Sequence, residues 1–172
     1  MKVILLMAIT ADGKIAREST ELVDWTGKSD KKYFVHVTRE AGVMIMGSKT
    51  FDTIGKVLPG RKNMVMTRDK TRISQDENLI FTDQGPAEII SDLAAQGFKS
   101  AAVIGGSMVN TVFMKKKLID EIHLTMVPRV FGKGLSLFRE PMDIRLELMD
   151  ASGIGDGHIL LKYRVTKEEA EK

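Results

Sequence analysis

The chain has 172 residues, with 26 Lys+Arg against 23 Asp+Glu, a formal charge of +3 with its three histidines neutral. That length fits one domain with a packed core, and a composition of 43% hydrophobic and 28% charged residues excludes global disorder. The lack of cysteine excludes disulfides, thiolate zinc sites and CxxC redox chemistry, three scattered histidines argue against a His-based metal site, and no apolar run reaches the roughly 18 residues of a spanning helix.

Val3 to Ile9 is an apolar run too short for a signal peptide and is stopped by Asp12-Gly13, so the chain is expected to be cytoplasmic. The run predicts a strand over 2–9 buried on both faces, and hence a sheet covered by helices. The polar stretch Arg17-Glu18-Ser19-Thr20-Glu21, with Leu22 and Val23, predicts a mobile lid, and Trp25 a core residue. A helix over 29–40 is expected, with Ser29 as its N-cap and Tyr33, Phe34, Val37 and Ala41 on one face. Strand 42–46, short helix 50–54, strands 62–67 and 78–82, and a helix over 86–96 follow, the last opened by Pro86 and stopped by Gly97. Next come strand 100–104, a helix over 107–117 ending in Lys115-Lys116-Lys117, where the helix dipole favours cations, and strand 120–127. Strands 144–151 and 158–165 flank Gly153-Ile154-Gly155-Asp156-Gly157, a hairpin-type loop, and residues 166–172 form a frayed tail after a single 1–165 domain. Strand-helix alternation closed by an antiparallel pair predicts an α/β fold, with a mixed, mostly parallel sheet, helices on both faces and a C-terminal antiparallel hairpin.

Two strand-to-helix junctions have the chemistry of anion sites. In Val103-Ile104-Gly105-Gly106-Ser107 the missing Cβ atoms let backbone N–H groups approach a ligand at a helix start, although a tight turn explains the glycines as well. There is no GxGxxG pattern, which disfavours an ordinary Rossmann domain. Gly47-Ser48-Lys49-Thr50 resembles the end of a phosphate-binding loop, but the glycine needed four positions upstream is Val43, which disfavours a triphosphatase. Two such helix starts can together flank one extended diphosphate.

Asp30 lies in the first turn of the first helix, one turn before Phe34. It can be a dipole-stabilising acid on a solvated helix start. At the rim of an apolar cleft it can instead accept two parallel hydrogen bonds from an amidine-like heterocycle packed on Phe34, worth roughly 1.5–3 kcal/mol. Asp24, Asp52 and Asp120 compete for that role. Arg61, after Leu58-Pro59-Gly60, is either an exposed turn cation or a planar fork for a carboxylate. Arg68, Lys70 and Arg72 crowd one loop, as solvated cations or as the seat of a phosphate monoester. His36, His123 and His158 sit at no metal or triad spacing and read as structural or exposed. A surplus of three cations, without interleaved aromatics, points to a small anionic ligand and to neither nucleic acid nor membrane as partner.

The stretch Val43-Met44-Ile45-Met46-Gly47-Ser48-Lys49-Thr50-Phe51, continued by Thr53 to Asn63, resembles the dihydrofolate reductase superfamily, which includes the pyrimidine reductases of riboflavin biosynthesis. The resemblance covers residues 2 to 165 and implies an NADPH-dependent reduction of 7,8-dihydrofolate to tetrahydrofolate, the reaction that serves one-carbon metabolism. It implies that the backbone at Ala8 and Ile15 holds the nicotinamide carboxamide, Ala8 also bordering the substrate. Gly47, Ser48, Lys49 and Thr50, with Ile104, Gly105, Gly106, Ser107, Met108 and Val109, would bind the cofactor's diphosphate, and Thr67 and Arg68 its 2′-phosphate. Asp30 and Thr125 would be catalytic, the acid pairing with the pterin and the hydroxyl bonding both. Phe34 would pack on the ring, Ile54 and Leu58 on the benzoyl group, and Arg61 would receive the glutamate carboxylate. Ser48 stands where many members carry Arg, and Asn110 where dihydrofolate reductases carry Tyr. Ala11 to Ala16, Leu118 to Leu124, Pro128 and Gly132 to Phe138 resemble the pyrimidine reductases instead. Reduction of a ribosylaminopyrimidine phosphate is therefore the alternative, and a non-catalytic nucleotide-binding module the third reading. The two branches imply, respectively, a monomer and a homodimer.

Overall fold

Val43, Met44, Ile45 and Met46 are all fully buried. Successive strand side chains point to opposite faces, so a run buried without alternation needs cover on both. The computed structural model, which describes residues 1–167, supplies that cover. Its elements are β1 (Lys2–Thr10), β2 (Lys14–Ala16), α1 (Gly27–Ala41), β3 (Val43–Gly47), α2 (Ser48–Ile54), β4 (Lys62–Met66) and β5 (Leu79–Thr82). They continue with α3 (Pro86–Ala95), β6 (Ser100–Val103), α4 (Ser107–Lys115), β7 (Glu121–Val127), β8 (Leu135–Ser136), β9 (Leu146–Gly155) and β10 (His158–Val165). An eight-stranded sheet has the order β5-β4-β3-β6-β1-β7-β10-β9, and β2 pairs with β8 in a separate two-stranded sheet. Neighbours from β5 to β7 are parallel, while β10 runs antiparallel to both β7 and β9. This is the expected α/β class.

Val3, Leu5 and Ile9 of β1 pack with Ile89 and Leu93 of α3 and Phe113 of α4, whereas Ile4 and Leu6 pack with Val37 and Ala41 of α1. The helices after the neighbouring strands β1 and β6 thus leave to opposite faces. That divergence opens a crevice at the carboxyl ends of the central strands, the general ligand position in open α/β sheets.

The structure differs from expectation at several boundaries. The β2–β8 pair was not anticipated. Helix α1 begins at Gly27 with Thr26 as N-cap, not with Ser29, because the Ser29 amide is already capped by the Asp156 carboxylate at 3.0 Å. Helix α2 starts at Ser48, and α4 ends at Lys115, shortly before Lys117 turns left-handed (φ 55°). Strand β9 runs on to Gly155, leaving Asp156-Gly157 as a two-residue turn with φ of 55° and 74°. Two positive φ values are the geometry of a type I′ hairpin turn. Thr166 donates to the Arg145 carbonyl and Lys167 bonds Asp120 at 2.5 Å, while the rest of the expected tail lies outside the described residues.

Candidate functional site

Helix α1 supplies one wall of a cleft of about 860 Å³ through Asp30 and Phe34, side chains one helical turn apart and therefore on one face. Asp30 is half-buried and makes no hydrogen bond or ion pair with any described residue. Ile54, at the end of α2, and Leu58 also line the cleft. Leu58 is held by Asn63, a fully buried side chain that accepts the Leu58 N–H (2.9 Å) and donates to the carbonyls of Leu58 (3.0 Å) and Arg61 (2.9 Å).

Ala8 on β1 borders the cleft and is paired in register with Thr125 on β7. Paired residues share a sheet face, which here is the face carrying α1. Thr125 is fully buried, and its hydroxyl has no partner among the described residues. The expected hydrogen bond between Thr125 and Asp30 is therefore absent. An unpaired buried hydroxyl costs roughly 1–3 kcal/mol, and Thr125 itself stands outside the cleft lining, behind Ala8.

The two strand-to-helix junctions meet. The Gly47 N–H donates to the Gly105 carbonyl at 2.9 Å. A Cβ on Gly47 would stand 3.2 Å from a methyl of Val109 and 3.9 Å from the Gly106 nitrogen. Gly105 has φ +100°, a conformation open to glycine, and its peptide bond to Gly106 is cis. Lys49, Thr50, Ile104, Gly106, Ser107, Met108 and Val109 line the cleft, as does Ile15, whereas Gly47, Ser48 and Gly105 form the packing behind it.

Arg61, Thr67 and Arg68 are placed apart from the cleft lining. Arg61 is buried, donates from Nη1 to the Pro59 carbonyl at 2.9 Å, and leaves Nε without a partner among the described residues. Burial and the neighbouring Arg39 cation lower its pKa from the ordinary arginine value. Thr67 borders a smaller hollow of about 250 Å³ with Lys70, Arg72 and Phe81. The expected cation cluster there is largely spoken for. Arg72 grips both oxygens of Asp52 (2.6 and 2.8 Å), and Lys70 lies 3.5 Å from Asp83. Arg68 is exposed.

The sequence does not mark several lining residues as part of a site, although Gly132 to Phe138 carry the pyrimidine-reductase resemblance. Leu135, Ser136, Phe138 and Arg139 reach the cleft because β8 pairs with β2, and a two-residue strand leaves no readable alternation. That region is pinned by Asp12, which accepts from the Thr10 hydroxyl (2.5 Å) and the N–H groups of Phe131 (3.1 Å) and Gly132 (2.7 Å). Those donors, the Thr10 hydroxyl foremost, hold its carboxyl down at about 2. The expected lid segment also borders the cleft, through Glu18, Ser19, Glu21, Leu22 and Val23. Arg17 anchors its start, bonding Glu21 and lying 4.1 Å over the Phe131 ring, while Trp25 is buried edge-on to Phe131.

Of the histidines, His36 is exposed and the other two are buried. His123 bridges Tyr33 (2.8 Å) and Glu121 (3.1 Å), bracing α1 on β7. Burial lowers the His123 pKa and raises that of Tyr33 to about 12. Among the described residues no group of three or more His, Asp or Glu side chains comes together as a metal site, and no helix is long and apolar enough to cross a membrane.

The model of the RibD C-terminal domain family matches residues 1–160. A Bacillus subtilis (strain 168) protein described as uncharacterized, YyaP, is 26% identical over 179 residues, covering 94% of each chain. Among solved structures, RibD of Acinetobacter baumannii superposes with a TM-score of 0.83 at 18% identity, covering 96% of this chain and 58% of that one. A dihydrofolate reductase of Enterococcus faecalis, complexed with NADP(H), superposes with a TM-score of 0.76 at 19% identity, covering 96% and 97%. Both likenesses show a shared dihydrofolate-reductase-like fold.

Proposed function

The chain belongs to the RibD C-terminal domain family, and from that premise we propose that it is an NADPH-dependent oxidoreductase that reduces 7,8-dihydrofolate to tetrahydrofolate. The observation that carries this reading is Asp30, a carboxylate without a partner among the described residues at an otherwise largely apolar cleft wall beside Phe34. Such a group is suited to two parallel charge-assisted hydrogen bonds from a flat amino-heterocycle. Gly106 leaves a cradle in the cleft wall, where a Cβ would stand 3.5 Å from the Thr50 hydroxyl, with Lys49 and Ser107 beside it, which fits the diphosphate of a dinucleotide. NADPH, when bound, supplies the hydride. Ala8 and Ile15 would hold its carboxamide end by their backbone. Asp30 would orient the heterocycle, Thr125 would contribute its buried hydroxyl from behind Ala8, and the ring nitrogen N5 would take its proton from water. The segment 16–24, closing over the cleft, would exclude water from that step.

A second reading, reduction of a ribosylaminopyrimidine phosphate, is favoured by the family match and by Arg61. That guanidinium is buried outside the cleft lining, where it does not present its fork to a folate tail. The test is NADPH oxidation measured side by side with dihydrofolate and with the riboflavin pyrimidine precursor. Asp30→Asn is expected to cut turnover on dihydrofolate by roughly 10- to 150-fold, the rate equivalent of 1.5–3 kcal/mol, while NADPH affinity stays within about twofold. Undiminished activity of that variant at every pH would discard the role of Asp30. Turnover of the pyrimidine alone would establish the second reading, and NADPH binding without any substrate-dependent oxidation would leave a nucleotide-binding module.

A further inference from the structure

We infer that Asp156, at the tip of the C-terminal hairpin, is a positioning residue for the heterocycle-binding acid, acting as a helix cap supplied from 127 residues away. Helix α1 carries Asp30 in its first turn, and Thr26 and Asp30 both face the cleft. The first N–H groups of a helix have no partners within it and are ordinarily satisfied by the N-cap side chain. Thr26 makes no such bond. Asp156 does so in its place, accepting from the Ser29 N–H at 3.0 Å, the amide next in the chain to Lys28. These are the residues immediately before Asp30. The hairpin is built to reach them. Asp156 and Gly157 both take positive φ, which turns the strand pair tightly. Gly155 and Gly27 take φ of +96° and +76°, and a Cβ would stand 2.8 Å from the Ser29 hydroxyl on the first and 2.9 Å from the His158 ring on the second, so both close approaches favour glycine. The segment leading into α1 is exposed coil at Leu22 to Asp24, so the hairpin and the buried Trp25 carry the support of this turn.

The inference rests on the reading of the cleft as a heterocycle site, and its test separates the two. Asp156→Gly keeps a residue suited to φ 55° and removes the acceptor, while Asp156→Asn keeps an acceptor oxygen. Binding of 2,4-diaminopteridine and of NADPH is measured by fluorescence titration, and exchange of the Ser29 amide by NMR. In the Gly variant this amide should exchange about five- to tenfold faster and the pteridine should bind weaker by a similar factor, with NADPH affinity unchanged, as a lost cap implies. The Asn variant should restore both to within about twofold. Unchanged amide exchange in the Gly variant, equal weakening of NADPH, or an Asn variant as impaired as Gly would overturn the role. If the unaltered protein binds no pteridine, the cleft reading fails, and amide exchange still decides whether Asp156 holds the turn.

Discussion

Asn63→Ala tests how the cleft wall is held. The Asn63 side chain is fully buried and makes three hydrogen bonds, to the N–H and C=O of Leu58 and to the C=O of Arg61. Each is worth about 1 kcal/mol net, and alanine leaves all three backbone groups without that partner, so the expected loss is about 3 kcal/mol. For a chain of this size 1 kcal/mol moves the melting midpoint by about 2–4 °C, which predicts a fall of about 6–12 °C. The assay is urea unfolding with the slope checked against the unaltered protein, so that a change in midpoint reports stability. Leu58 lines the cleft and the glycine cradle lies on other elements. The same variant should therefore raise the KM for the heterocyclic substrate several-fold and leave NADPH affinity within about twofold. A loss below about 1 kcal/mol would refute the clamp, and equal weakening of both ligands would refute its local reach.

Two further substitutions probe the β2–β8 side. Asp12 has its carboxyl held at about 2 instead of the ordinary 3.8, so the folded state binds its proton less readily than the unfolded chain. Its contribution to stability is then full above about pH 4 and is lost as pH falls from there toward about 2. Asp12→Asn should flatten the melting midpoint against pH across that window, and parallel profiles for the two proteins would exclude the role. In Gly134→Ala the added Cβ would stand 2.5 Å from the Ala16 carbonyl oxygen, a backbone atom that cannot swing aside. We expect a loss of about 1–3 kcal/mol by thermal melting and weaker NADPH binding, because Ile15 and Leu135 beside it line the cleft. A variant with unaltered melting and binding would show that the pair yields freely.

Much of the fold was legible because its signals are local. Val43 to Met46 reads as a doubly buried strand from four consecutive apolar residues, and Pro86 opens α3 at its first turn while Gly97, with φ of 90°, stands just past its end. Asp30 and Phe34 were legible as neighbours because a helix places residues four apart on one face. Strand parity equally predicts which face Thr125 shares with Ala8, but not that its hydroxyl stays unpaired. Lys70 and Arg72 read as free cations until the fold brings Asp83 and Asp52 to them. The same limit applies to Arg61, whose direction out of a turn follows no periodicity, and to Asp156, whose partner is 127 residues away.

That division has a chemical consequence. The proposed cradle at Gly106 is backbone at a strand-to-helix junction, so a dinucleotide site there would be readable from local grammar. On the proposed function, substrate choice would depend instead on side chains whose orientation is set by contacts distant in sequence. These are Asp30, supported by the far hairpin, Leu58, clamped by Asn63, and Arg61, drawn to the Pro59 carbonyl. Two enzymes can therefore share this scaffold and its cofactor chemistry and part company over the heterocycle. The residues that would separate a folate from a ribosylaminopyrimidine are those whose partners the linear order conceals.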